Sequence, residues 1–130
     1  MTFVDTNYLV RFLVNRESEQ GIEAKRMFDK AAGEEIELFS SNVVFFEIYW
    51  LMKSFYGQKK EALATVLRNV LAMSFVKWEN GKLLAKSVEI MKKVNYDLED
   101  AYNLAFARDK KAGSMASFDK KLQRVWKSKE

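Results

Sequence analysis

Thr2-Phe3-Val4-Asp5-Thr6-Asn7, followed by Tyr8-Leu9-Val10-Arg11-Phe12-Leu13, is the stretch that decides the fold. Thr2, Phe3 and Val4 suit a short β-strand. Asp5-Thr6-Asn7 is a polar break made of residues that cap and turn. The mostly apolar residues after it read as the first turns of a helix. A strand that ends in a carboxylate and passes straight into a helix is the opening unit of an open α/β sheet. In such sheets ligands gather at the carboxyl ends of the strands.

Working outward, Ser18 is placed to cap a second helix, with Ala24, Met27, Phe28 and Ala31 at helical spacing and an end near Gly33. Ile36 to Phe39 reads as a second strand, and Ser40-Ser41-Asn42 as the start of the next helix. That third helix, Val43 to about Phe55, is apolar on nearly every side and is expected to be mostly buried, with Gly57 closing it. Leu63, Val66, Leu67 and Val70 stripe a fourth helix, Phe75 to Trp78 offers a third strand, and Leu84, Val88 and Met91 mark a fifth helix. A sixth starts near Asp97, turns Ala101, Leu104 and Ala105 inward and runs to Gly113. Ser114 to Phe118 reads as a fourth strand, with Asp119 at its turn into a last short helix. Strands alternating with helices predict a helix-rich α/β fold, a small, mostly parallel sheet wrapped on both faces in a three-layer α/β/α sandwich.

With 130 residues, no proline and no low-complexity linker, residues 1–130 are expected to form a single domain. Hydrophobic residues make up 48% of the chain, enough for a real core. No apolar run approaches the roughly 18 residues of a membrane span. Met1 leads directly into the first strand, so no cleavable signal is expected, and the absence of cysteine fits a cytoplasmic protein. The chain also has no histidine, which removes imidazole acid–base catalysis, the Ser-His-Asp triad and His-ligated zinc. Hydrolysis would then rest on carboxylates and a hard cation such as Mg²⁺ or Mn²⁺. A net charge of +4 suits a polyanionic partner as well as it suits an ordinary charged surface.

Among the acids, Glu47 carries the most information. Its helical neighbours Val43, Val44, Trp50 and Leu51 are apolar, and no Lys or Arg lies within one turn. A carboxylate buried there would need its charge offset, whereas a helix that turns it outward would not. Asp5 and Asp119 each have two readings, a helix cap or a site residue. Asp97, Glu99 and Asp100 are acids in a first helical turn, where they complement the helix dipole whatever else they do. In a parallel sheet the ends on which Asp5, Glu47, Asp100 and Asp119 stand face one rim. Carboxylates meeting there would have to protonate or share a cation.

Taken together, VDTN (Val4 to Asn7), SNVVFFE (Ser41 to Glu47), DLEDAYNLAFA (Asp97 to Ala107) and SFD (Ser117 to Asp119) resemble the PIN-domain ribonucleases, and most closely the VapC-type toxins of prokaryotic toxin–antitoxin systems. The resemblance runs nearly the whole chain in order. It implies a PIN-like sheet of four or five strands, the last an edge strand for which only Arg124-Val125-Trp126 is available. It implies that Asp5, Glu47, Asp100 and Asp119 are catalytic and hold Mg²⁺ or Mn²⁺, that Asp97 is an auxiliary acid, and that Asn7 and Ser117 orient the carboxylates. The family more often has threonine where this chain has Ser117. The implied activity is hydrolysis of RNA by a metal-activated water, leaving a 5′-phosphate and a 3′-hydroxyl. The implied partners are an RNA substrate, a small antitoxin protein and a second copy of the chain, with no membrane. A catalytically silent interaction module and a housekeeping RNA-processing nuclease are the alternative readings. Lys110, Lys111, Lys120, Lys121 and Arg124 are candidate phosphate-steering residues, and Phe12, Trp50, Met52, Phe55 and Tyr56 are candidates for a groove or dimer surface as well as for core.

Overall fold

The computed structural model describes residues 1–128. They fall into two compact units, Met1–Gly81 and the chain from Lys82 on. The first unit holds a small sheet of strands β1 (Thr2–Phe3), β2 (Leu38–Ser40) and β3 (Val76–Trp78), with helices α1 (Thr6–Val14), α2 (Glu19–Ala32), α3 (Asn42–Trp50) and α4 (Lys60–Ala72) between them. The second holds α5 (Gly81–Val94, starting at the boundary), α6 (Leu98–Asp109) and α7 (Lys120–Ser128). The fold is helix-rich α/β with a small parallel sheet.

Strand β2 is central and both its pairings are parallel. Thr2 and Phe3 lie beside Leu38 and Phe39, while Leu38, Phe39 and Ser40 lie beside Val76, Lys77 and Trp78. Past β1 the Val4 N–H donates to the Phe39 carbonyl at 2.9 Å, and the buried Ser40 hydroxyl donates to the Val4 carbonyl at 2.8 Å. Parallel pairing brings the three carboxyl ends to one edge, where each strand hands over to a capped helix or a turn.

Local chemistry explains the helix starts. Ser18 caps α2 by accepting from the Gly21 N–H at 3.0 Å, and Ser41 caps α3 by accepting from the Val44 N–H at 3.2 Å. Gly33 closes α2 as expected. Leu9, Phe28, Phe45, Ile48, Met52 and Leu67 are fully buried in the first unit, and Leu84, Met91, Leu98 and Leu104 in the second. Each such side chain contributes roughly 1.5–3 kcal/mol relative to exposure. Phe28 is held between Phe12 (ring centroids 5.0 Å apart) and Phe75 (5.6 Å).

Four sequence expectations are corrected. The described residues contain three strands, not four or five. Ser114–Phe118 is irregular and largely exposed, because Ala112, Gly113, Ser114, Ala116 and Ser117 offer little side chain to pack on a pleated surface. Arg124-Val125-Trp126 lies inside α7 rather than forming an edge strand, since Asp119 caps a helix in which Leu122, Val125 and Trp126 share a face. The third helix is not buried all round: Val43, Glu47 and Trp50, spaced four and three apart, make an exposed stripe, with Val43 65% and Trp50 42% accessible. It also does not run evenly to Phe55. From Leu51 to Phe55 the chain forms a π-helical turn, whose Tyr56 N–H reaches the Leu51 carbonyl at 3.1 Å. Gly57 then takes the left-handed conformation at φ 63°, which suits a residue without a Cβ.

Gly21 is fixed by space. A Cβ there would overlap the Asn15 carbonyl oxygen and lie 2.7 Å from Arg16 Cα, both backbone atoms of the turn that leads α1 into α2. Gly21→Ala is therefore expected to lower unfolding stability by about 1–3 kcal/mol through overpacking. Urea titration followed by circular dichroism checks this, and an unchanged midpoint would contradict it.

Candidate active site

In the first unit, Asp5 leaves β1 in an extended conformation and its Oδ1 accepts from the Thr6 N–H at 2.8 Å, so it caps α1. Its carboxylate is exposed and borders a cleft of about 370 Å³ lined by Asp5, Asn7, Tyr8, Arg11, Gln20 and Glu23. The far wall is ordered: Arg11 Nε donates to Gln20 Oε1 at 2.9 Å. Burial, then the charge of Glu23 and a hydrogen bond to its carboxylate, push the Tyr8 phenol upward. Asn7 is exposed in the first turn of α1. Glu47 stands on the exposed stripe of α3, so its charge is solvated and the structure demands no counter-ion for it.

Glu79, which the sequence reading passed over, directly follows β3. Its Oε1 accepts from the Asn42 N–H at 3.0 Å at the start of α3. The signal was the one used for Asp5, an acid directly after a strand.

In the second unit the acids crowd. Asp97 precedes α6 in an extended conformation, with no side-chain hydrogen bond to the helix end. Asp100, half-buried in the first turn of α6, has a carboxyl pushed upward by burial, then by the charges of Asp97 and Asp119, with Lys121 opposing. Asp119 Oδ1 accepts from the Lys121 and Leu122 N–H groups at 2.9 and 3.1 Å and so caps α7. Ser117 Oγ accepts from the Asp119 N–H at 3.0 Å, so Ser117 orients this acid through its backbone.

Behind them lies Tyr96, a second residue the sequence reading missed. It is 7% exposed, and its buried hydroxyl has no hydrogen-bond partner among the described residues. Burial, then Asp119 and Asp100, raise its phenol, against a lowering by Arg124. Lys121 lies over its ring at 4.6 Å and donates to the Asn95 carbonyl at 3.1 Å. Only its place beside Asp97 marked it in the sequence.

Asp100 thus feels the charges of both Asp97 and Asp119. Among the described residues, however, no three acids close into a ready-made metal cage. Charges act well beyond ligand-bond distance, so acids too far apart to share one ion directly still repel. The donors are all carboxylate oxygens, which fit a hard cation of the Mg²⁺ type, an ion commonly held by one or two carboxylates plus water and substrate phosphate.

Compared with known protein families, residues 2–127 match the PIN domain. The chain belongs to the PIN domain family. A comparison with curated protein sequences finds no match. PIN domains are generally nucleases, hydrolases that act on RNA or other nucleic acid and generally use divalent metal ions. In this PIN domain the match runs through both compact units. No helix among the described residues is long and apolar enough to cross a membrane.

The crowding at Asp100 has a pH signature. With its pKa raised on folding, the folded state holds this proton more tightly than the unfolded chain does. Its contribution is therefore unfavourable at neutral pH, and is relieved as pH falls from the raised value toward the ordinary carboxylate value. Without metal, Asp100→Asn is expected to raise Tm at neutral pH, with the gain vanishing in acid once Asp100 itself is protonated. Thermal melts of both proteins across that range check it, and a lower Tm for the variant at neutral pH would contradict it.

Proposed function

We propose that this PIN domain is a divalent-metal-dependent endoribonuclease, acting in the cytoplasm as the VapC-like toxin of a toxin–antitoxin pair. The observation that carries the reading is the half-buried Asp100, its carboxyl pushed upward by burial and then by the charges of Asp97 and Asp119, in a histidine-free chain of a nuclease family. Such crowding disfavours the empty, fully ionised site and favours one that shares a cation.

Asp5, Glu47, Asp100 and Asp119 are the proposed metal-holding and catalytic acids, with Mg²⁺ or Mn²⁺ as the ion. When bound, such an ion supplies Lewis-acid polarisation of a phosphoryl oxygen and a more acidic water. The chain's own residues supply the rest. Asp5 and Asp119 are held by the helix N–H groups they cap, so their free lone pairs keep a fixed direction. Ser117 steadies Asp119 through its backbone, Asp97 adds charge beside Asp100, and Asn7 stands two residues from Asp5 in the cleft. Asp100, its carboxyl pushed upward by burial and then by Asp97 and Asp119, is the acid of this set whose charge a bound cation would offset most.

We take the two compact units to work as one domain, a reading supported by the unbroken family match. An antitoxin and a second copy of the chain are the proposed protein partners. Trp50, Phe55 and Tyr56 are exposed (Phe55 by 77%) and supply apolar surface for such contacts, whereas Met52 is fully buried and Phe12 is packed on Phe28.

The test is cleavage of structured RNA by the purified protein with Mg²⁺ or Mn²⁺. EDTA is expected to stop it, and Asp5→Asn and Asp100→Asn to lower it more than about a hundred-fold, beyond the loss typical of an outer-shell partner. Cleavage that survives both EDTA and Asp5→Asn would contradict the reading. Glu47→Gln is expected to lose activity at nearly unchanged stability, within about 0.5 kcal/mol, because its charge is already solvated. A full-activity Glu47→Gln protein would remove that residue from the site.

A further inference from the structure

Tyr96 has no part in the cleavage reading, yet it is a costly residue to keep where it stands. It is buried, and its hydroxyl has no hydrogen-bond partner among the described residues. A buried hydroxyl without a partner lowers the stability of a folded protein, and a phenylalanine would fill the same space without that cost. The ring is also held in place. Asn95 takes the left-handed conformation at φ 59°, a bend that asparagine tolerates, just before Tyr96 in the turn between α5 and α6. Lys121 donates to the Asn95 carbonyl at 3.1 Å and lies 4.6 Å from the centre of the Tyr96 ring.

The charges of Asp119 and Asp100 both reach this phenol. The two acids differ in what they already hold. Asp119 Oδ1 accepts from the Lys121 and Leu122 N–H groups. Asp100 is half-buried, and among the described residues no hydrogen bond or ion pair engages its carboxylate. Tyr96 stands one residue before Asp97, the N-cap of α6, and Asp100 lies in the first turn of that helix. Side chains from these two positions fold back over the same helix end. A donor without an acceptor and an acceptor without a donor therefore share the start of α6.

We propose that Tyr96 is a positioning residue for the metal-holding acids, its hydroxyl donating to the Asp100 carboxylate when a divalent cation is bound. The inference rests on the nuclease reading, in which Asp100 helps to hold that cation. No three acids close into a cage among the described residues, so sharing an ion requires carboxylates to turn toward one point. A carboxylate with one oxygen committed to an ion keeps its direction when a fixed donor holds the other. A phenol gives that hydrogen bond without adding positive charge, so Asp100 is oriented while its own charge stays available. Lys121 could not do the same, since a second cation beside Asp100 would weaken the hold on the first. The cost of the unpartnered hydroxyl in the metal-free protein is then recovered in the loaded one.

The test compares the full chain with Tyr96→Phe, which removes the hydroxyl alone. Calorimetric titration with Mn²⁺ is expected to show binding about 10–100-fold weaker in the variant. Thermal melts without metal are expected to show an unchanged or higher Tm, because an unpartnered polar group has gone. With ¹³Cζ-labelled tyrosine, the Tyr96 resonance, identified by its loss in the variant, is expected to move on saturation with Mg²⁺. In a chain that already carries Asp100→Asn, adding Tyr96→Phe is expected to weaken Mn²⁺ binding no further, since both residues act through one bond. Equal Mn²⁺ affinity in variant and parent, while the parent cleaves RNA, would overturn the role of Tyr96 and leave the nuclease reading intact. A metal-free Tm several degrees lower would also overturn it, by giving the hydroxyl a structural partner. Losses that add in the double variant would overturn the pairing with Asp100. A parent that binds neither Mn²⁺ nor Mg²⁺ would overturn this inference together with the nuclease reading.

Discussion

Parallel pairing of three short strands is the constraint on which the first unit depends. With β2 in the middle and both neighbours running its way, the carboxyl ends of all three strands must share an edge. The Ser40 hydroxyl, buried and bonded to the Val4 carbonyl, ties the strand ends together just where the chain leaves the sheet. Each exit then needs polar atoms for the N–H groups of the next helix. Asp5 serves α1, while Ser41 and Glu79 both serve α3. Carboxylates are thus drawn to this rim by backbone chemistry before any function is asked of them, and helix N-termini make the same rim hospitable to phosphate.

The second unit applies the same capping rule and arrives at a different electrostatic result. Asp119 caps α7 and Asp97 precedes α6, but the helices they start place their charges within reach of Asp100. Lys121 and Arg124 answer part of that charge, at Asp100 and Tyr96 respectively, and the answer is incomplete. Caps alone do not require this. An acid kept half-buried beside two others is a cost to the folded chain that a bound cation removes.

Much of this was legible in the sequence, and the failures have physical causes. The opening strand, the Ser18 and Ser41 caps, the third strand and the inward residues of α6 were readable because caps and apolar periodicity act locally. α3 was misread because its composition hides its orientation: when nearly every residue is apolar, no polar stripe says which face is outside, and Val43 and Trp50 are left exposed. The residues 114–118 were misread because a short run ending in Phe118 imitates a strand, although small side chains outnumber large ones. The acids proposed for the site were chosen by type and position alone. What the sequence could not disclose was which charges reach Asp100, since Asp100 and Asp119 are separated by a whole helix and a loop, and nothing in it shows that Tyr96 feels both.

The central claim is that Asp100 carries a cost of burial and of like charge, and that a divalent cation relieves it. Carbon-13 NMR titration of the Asp100 side-chain carboxyl, run with and without Mg²⁺, tests it most directly. The account predicts a midpoint above the ordinary carboxylate value in the metal-free protein, falling when Mg²⁺ is added. An ordinary midpoint that Mg²⁺ does not move would contradict it.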